Sequence, residues 1–318
     1  MGILFAVLMI ITFGFAYNSV QSNTICQAWQ KAFGIEPATM GIVLTVLTLL
    51  IIFGGIQRVA KFSSTVVPVM AVVYLLIAVG VVIWNITSLP KVLLAIVENA
   101  FGLNQAAGGV LGVTVIQGIK RGLFSNEAGE GSAPNAAAVA TVSHPVKQGL
   151  IQALGVFTDT LVVCSCTAFI ILVSGVDVTA SNGIQLTQDA LTHEIGSIGN
   201  PFVAVMICLF AFSSIIGNYY YGETNVRYIR DSKLGVFIYR LAVAAMVMVG
   251  AVVSLDFAWS FADITMALLT LCNLVAIVLL SRQAVFLLQD YRQQKKEGKN
   301  PVFCKDKMPE IADKLEAW

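Results

Sequence analysis

An all-α, polytopic membrane fold is predicted by three features of this 318-residue sequence. It is 57% hydrophobic, it is only 12% charged, and its apolar residues gather in long runs. A soluble domain carries about 25% charged residues, and a helix needs roughly 20 apolar residues at about 1.5 Å each to cross a bilayer. Eight spans are predicted, at about 2–22, 39–57, 65–87, 107–140 (interrupted), 148–174, 200–222, 235–255 and 261–282. They form one transmembrane domain over 1–282, followed by a polar tail over 283–318.

The first run has no basic n-region and no small-residue cleavage site, and it continues through Asn18, Gln21 and Asn23. It therefore reads as a true helix and not as a signal peptide. Lys and Arg in short loops set the orientation. Arg58, Lys61, Lys147, Arg227, Arg230, Lys233, Arg240 and the basic tail fall on one side of an eight-span chain, whereas Lys31 and Lys91 fall on the other. The basic side, with both termini, is the predicted cytoplasmic side. Residues 89–101 read as a short amphipathic helix on the outer surface, and 176–199 as a structured external loop.

The net charge of +1 points to no partner, and the lack of a basic stripe with interleaved aromatics means that nucleic acid is not implied. Cys164, Cys166, Cys208 and Cys272 lie inside apolar runs and read as small buried hydrophobes. No phosphate-binding G-x-x-x-x-G-K-[ST] run is present, and His144 and His193 sit in loops without triad partners. No catalytic residue, resident metal or organic cofactor is predicted, and the chain does not read as an enzyme.

The interrupted span is the most informative stretch. Apolar residues with Gly108, Gly109, Gly112 and Gly118 lead into Phe124-Ser-Asn-Glu-Ala-Gly-Glu-Gly-Ser-Ala-Pro-Asn135. Gly129 and Gly131 ease a departure from helix. Pro134 suits the first turn of a new helix, which Ser132 is placed to cap. Each unsatisfied backbone group in hydrocarbon costs several kcal/mol, so a break at membrane depth survives only where it lines a cavity. Carbonyls left by the first half-helix suit a cation or an ammonium, and amides opening the second suit an anion. Such breaks mark midplane substrate sites in secondary transporters. The alternative is a cytoplasmic loop with Glu127 and Glu130 in water.

Other polar residues lie within spans. Asp159 is an ionisable group in an apolar helix, read as a cation ligand or as a hydrogen-bond hub for the break. Ser213 and Ser214 offer hard hydroxyl ligands to a small cation, with bonding back to their own helix as the alternative. Tyr17, Asn18 and Gln21 share the end of the first span and either line the same cavity or tie helices together. Asp263 and Asn273 are weaker candidates.

The run Gly118-Ile-Lys-Arg-Gly-Leu-Phe-Ser-Asn-Glu-Ala-Gly-Glu-Gly-Ser-Ala-Pro-Asn-Ala-Ala-Ala138 closely resembles the signature of the alanine or glycine:cation symporter family. So do His144-Pro-Val-Lys-Gln-Gly149, Phe157-Thr-Asp-Thr160 and Phe210-Ala-Phe-Ser-Ser-Ile-Ile-Gly-Asn218. The resemblance implies Na⁺-coupled symport of small neutral amino acids (alanine, glycine) by alternating access, with H⁺ as the other coupling ion. It also implies a monomer among lipid in a bacterial cytoplasmic (inner) membrane. The implied fold is leucine-transporter-like, with inverted five-helix repeats. In that fold Phe124 is an aromatic lid and Ser125 a Na⁺ or carboxylate contact. Asn126, Glu127 and Ala128, with Gly129 beside them, lie near the substrate amine, and Ser213 and Ser214 bind Na⁺. Lys120 and Arg121 lie a turn outward.

Eight spans do not make two sets of five. Counting from the break, 2–22, 39–57 and 65–87 match core helices three to five, so the fold reads as incomplete, covering core helices three to ten. The chain alone is then expected not to transport, and an inactive fragment or a membrane scaffold is the alternative function.

Overall fold

A computed structural model describes residues 1–54, 56–100, 108–309 and 312, without the side chains of 56–64, 66, 67 and 108–114. Arg58, Lys61 and the glycines at 108, 109 and 112 are thus outside the described side chains. The described residues form helices and turns, with no strand among them. We number the helices α1 Gly2–Phe33, α2 Pro37–Phe53, α3 Ile56–Trp84, α4 Leu89–Ala100, α5 Gly108–Asn126, α6 Ala133–Ala137, α7 Pro145–Ser174, α8 Ile184–Ile195, α9 Gly199–Ile229, α10 Lys233–Val252 and α11 Leu255–Lys296. Helix continues through π-helical turns at Ile10–Tyr17 in α1 and Thr158–Cys164 in α7.

Local chemistry sets the ends. Gly34 at φ +69° stops α1, and Pro37 opens α2 where its missing amide costs nothing. The side chains of His144, Ser232 and Ser254 accept the amides of Val146, Gly235 and Phe257 to start α7, α10 and α11.

Helix runs through the described part of each predicted span, but not every one of these helices is long and apolar enough to cross a membrane. Among the described residues, five stretches are long and apolar enough to cross a membrane: Gly2–Phe33, Pro145–Ser174, Ile184–Ile229, Lys233–Val252 and Leu255–Lys296. Pro68–Trp84 with Leu89–Ala100 makes a sixth if that pair, bent by 103°, is one span. Pro37–Phe53 has 17 residues, or about 25 Å, less than the roughly 30 Å of a hydrocarbon core. Helix α5 carries Lys120 and Arg121, which interrupt its apolar character. Helix α11 runs on past 282 to Lys296.

Helix α1 lies at the centre. Phe13, Ala16, Tyr17 and Val20 pack with Ala258, Ala262, Met266 and Leu269 of α11. Ile25 and Cys26 pack with Ile215 and Ile216 of α9 and Val243 and Val247 of α10. Polar groups tie the same helices. Ser22 donates to the Val247 carbonyl (2.7 Å), and Asn23 donates to the carbonyls of Gly250 (3.0 Å) and Val253 (2.8 Å). Gly250 permits this approach, since a Cβ there would sit 2.5 Å from the Ser19 backbone. Cys26 is buried, whereas Cys164, Cys166, Cys208 and Cys272 are only half-buried, which corrects their reading as buried residues. Those four lie on helices that leave much of their surface uncovered by protein.

Two groups of loops gather at opposite ends. Lys31 pairs with Asp189 (2.6 Å) and Asn85 donates to Glu194 (2.5 Å), joining the α1 end, the α3 end and α8. At the other end the tail folds back on the start of α7. The Phe303 amide donates to the Ser143 carbonyl (2.8 Å), Lys147 donates to Asn300 (2.7 Å), and buried His144 meets Asp290 (3.2 Å).

Candidate functional site

Helix α5 stops at Asn126 because the backbone turns left-handed. Glu127 has φ +56°, uncommon for a residue with a side chain, and Gly129 and Gly131 follow at +90° and +89°. The turn satisfies part of what it opens. The Asn126 side chain accepts the Ala128 amide (2.9 Å), and Asn273 of α11 donates to the Gly129 carbonyl (2.8 Å).

Two expectations are corrected here. Ser132 makes no side-chain cap on α6; its hydroxyl donates to the Glu127 carboxylate (2.5 Å). Helix α6 has only five residues, too few to build the dipole that an anion site at its start requires.

A cavity of about 330 Å³ opens beside the break. Helix α1 lends it Tyr17 and Gln21, and the end of α5 lends Phe124, Ser125 and Glu127. Helix α9 completes the wall with Ser214, Gly217, Asn218 and Tyr221. A second cavity of about 710 Å³ lies on the other side of the turn, against α7 and α11, and takes in Asn126, Ala128 and Gly129. Glu127 and Tyr221 line both, so the turn is a thin wall between two spaces.

The structure thus gathers Tyr17, Gln21, Phe124, Ser125, Glu127 and Ser214 around one space. It leaves six nominated residues off that wall: Asn126, Ala128 and Gly129 line the second cavity, and Asn18, Ser213 and Asp159 line neither of the two. Asn18 is buried beneath it, donating to the Gly14 carbonyl (3.0 Å) and accepting from Asn218 (3.2 Å). The Ser213 and Ser214 hydroxyls both donate to the Phe210 carbonyl (2.7 and 3.2 Å), the helix back-bonding of the alternative reading, and only Ser214 reaches the cavity. Asp159 stands behind the break, accepting the Ser125 hydroxyl (2.5 Å), while Asn126 donates to Thr160 (2.9 Å).

An aromatic column backs the cavity. Phe124 packs between Tyr17 and Trp259, each ring pair 4.7 Å apart, and the Arg121 guanidinium lies 4.1 Å above Trp259. Arg121 and Lys120 both pair with Asp263 of α11. Asp263 and Asn273, the weaker candidates in the sequence, therefore hold the two ends of the broken region.

The whole arrangement, a turn flanked by two cavities among helices fit to cross a membrane, suits a carrier. The sodium:alanine symporter family model matches residues 1–305. The chain belongs to the sodium:alanine symporter family. Members are transporters and not enzymes, and the chain is a multi-pass membrane protein of that class. It is 53% identical over 307 residues to the probable sodium/glutamine symporter GlnT of Bacillus subtilis, covering 96% of this chain and 64% of that one. It is 51% identical to the amino-acid carrier protein AlsT of the same organism, covering 100% and 68%. It is 34% identical to the sodium/alanine symporter AgcS of Methanococcus maripaludis, covering 89% and 63%. The chain spans about two thirds of the length of the curated relatives it matches.

Sequence reasoning missed Asn218, Tyr221 and Glu130. Asn218 lies four residues after Ser214 on the same helix face, so helical spacing alone would have found it. Nothing in the sequence separates buried Glu130 from cavity-lining Glu127.

Proposed function

We propose that the whole protein is a Na⁺-coupled symporter of a small neutral amino acid, working by alternating access in a bacterial cytoplasmic membrane. The observation that carries this is the polar cavity at a helix break. Its volume, about 330 Å³, is at the small end for ligand sites. Glu127 faces that space as a counter-charge for the substrate ammonium, Phe124 and Tyr17 enclose it, and Gln21, Ser125 and Asn218 orient the carboxylate and coupling ion. Asp159 acts on the ion through Ser125, and Ser214 offers a ligand at the edge. Asn18 and Ser213 support the helices behind that wall, and Ala128 and Gly129 line the second cavity across the turn. A leucine-transporter-like fold accounts for a broken helix facing a cavity at mid-chain.

Alanine or glycine is the leading substrate. Glutamine is the second reading, since the cavity exceeds what alanine fills and the relative at 53% identity is named for glutamine. The gathering of Lys31, Asn85, Asp189 and Glu194 at one end, and of Lys147 and the tail at the other, supports the orientation with both termini in the cytoplasm.

Proteoliposomes holding the whole protein test this reading. Labelled alanine should accumulate under an inward Na⁺ gradient and leak out when the gradient is collapsed, and excess glutamine should compete if the second reading holds. Accumulation indifferent to both Na⁺ and H⁺ gradients would end the symport reading.

A further inference from the structure

We propose that Glu130 is a binding site for a monovalent cation, a proton or a dehydrated Na⁺, separate from the cavity assigned to the amino acid. The inference rests on the symport reading only for what the cation does, and its geometry stands alone. Glu130 is fully buried. One carboxylate oxygen accepts the Tyr17 hydroxyl at 2.7 Å, and the other, also buried, has no hydrogen-bond partner.

Charge balance leads to a cation. Glu127 and Glu130 lie three residues apart in the same turn, and among the described residues neither makes an ion pair. Their hydrogen-bond donors are hydroxyls, Ser132 for Glu127 and Tyr17 for Glu130. Lys120 and Arg121, on the preceding helix, are engaged with Asp263. An unpaired buried carboxylate is strongly unfavourable, whereas a neutral or ion-paired one is tolerable. Glu127 faces the cavity, where a substrate ammonium can reach it. Glu130 lines neither cavity, so an amino acid cannot neutralise it. What remains is an ion small enough to shed its water.

The position couples such an ion to the site. Tyr17 joins Glu130 to the wall of the cavity and packs at a tilt against Phe124, which packs likewise against Trp259. Gain or loss of a cation at Glu130 changes the hydrogen bond that fixes Tyr17. Glu130 is thus placed to make amino-acid affinity depend on the ion.

The test uses the 318-residue chain in lipid, with H⁺ and Na⁺ as the probes. Infrared difference spectra at neutral pH, in Na⁺-free buffer, read protonation through the carboxylic-acid carbonyl band, and ²²Na⁺ binding reads the metal ion. Comparison is with Glu130→Gln, which keeps an acceptor for Tyr17. If the proton is the occupant, the acid band is present and Glu130→Gln removes it. If Na⁺ is, Glu130→Gln weakens ²²Na⁺ binding about tenfold or more. Either result supports the site and identifies the ion, and a variant unchanged in both overturns it. Should Glu130→Gln not accumulate in membranes, Tyr17→Phe decides: it should raise the frequency of the acid band or weaken Na⁺ binding, and no change in either overturns the proposal. Neither readout needs transport, so a failed uptake assay would count against the symport reading and not against this site.

Discussion

The two π-helical turns of this chain sit in opposite surroundings. At Ile10–Tyr17 the turn is walled in, with Thr12, Phe13, Gly14, Ala16 and Tyr17 all buried. At Thr158–Cys164 none of the seven residues is buried. The helices follow suit: 56% of the apolar window of Gly2–Phe33 is buried by protein, against 6% for Pro145–Ser174. A π turn widens the helix by one residue and redirects side chains, and it is often found at functional sites. Both turns aim at the break, Tyr17 from one side and Asp159 from the other. Tyr17 is fixed by packing on all sides, whereas Asp159 is held by the hydroxyl of Ser125. The comparison teaches that half of this site is built into a core of protein, while the other half is held by a few hydrogen bonds on an open helix face.

The largest effect that would break this contrast is steric. Gly250→Ala drives a Cβ into the Ser19 backbone where α10 meets α1, and should cost about 1–3 kcal/mol or more. Gly155→Ala in α7 meets no atom within 4 Å and should be neutral, or stabilise by up to about 1 kcal/mol. Thermal unfolding in detergent compares the two, and equal melting temperatures would mean that the buried half is not rigid.

A smaller difference is expected between the polar anchors. Tyr17→Phe removes the one donor to a buried carboxylate and should destabilise by about 1–3 kcal/mol. Asp159→Asn, on the open side, should change stability by less than about 0.5 kcal/mol while lowering the apparent Na⁺ affinity of uptake. If Asp159→Asn melted far lower than Tyr17→Phe, the assignment of packed and open halves would be reversed.

The smallest effect concerns the tail. Phe303 is buried against His144, so Phe303→Ala should free the tail locally. Trypsin should then cut at Lys305 and Lys307 severalfold faster with no change in melting temperature. Unchanged cleavage would mean that the Lys147–Asn300 and Lys307–Asp290 contacts hold the tail by themselves.

Much of this was legible in the sequence. The helices follow from apolar runs, and the break from Gly129, Gly131 and Pro134 in a polar stretch, because backbone chemistry is local. Tyr17, Gln21, Phe124, Ser125, Glu127 and Ser214 were nominated and now line one space. What was not legible depends on which way a helix faces. The π turns are set by packing and leave no compositional mark. Ser132 is a fitting cap by type and position, yet the Glu127 carboxylate takes its hydroxyl, a contact created by the left-handed turn. Glu130 and Glu127 look alike in sequence, and only the folded turn sends one to the cavity and the other into the core. The pairing of Asp263 with Arg121 spans 142 residues and required the fold.

The central claim, that the amino acid sits in the cavity at the break, is tested most directly by filling that cavity. Gly217 lines it, and a Cβ there meets nothing within 4 Å, so Gly217→Leu fills the space without a clash at the backbone. In the whole protein, Na⁺-driven uptake of labelled alanine should fall to background with the melting temperature preserved. Uptake at the parent rate and affinity by a folded Gly217→Leu protein would contradict the account.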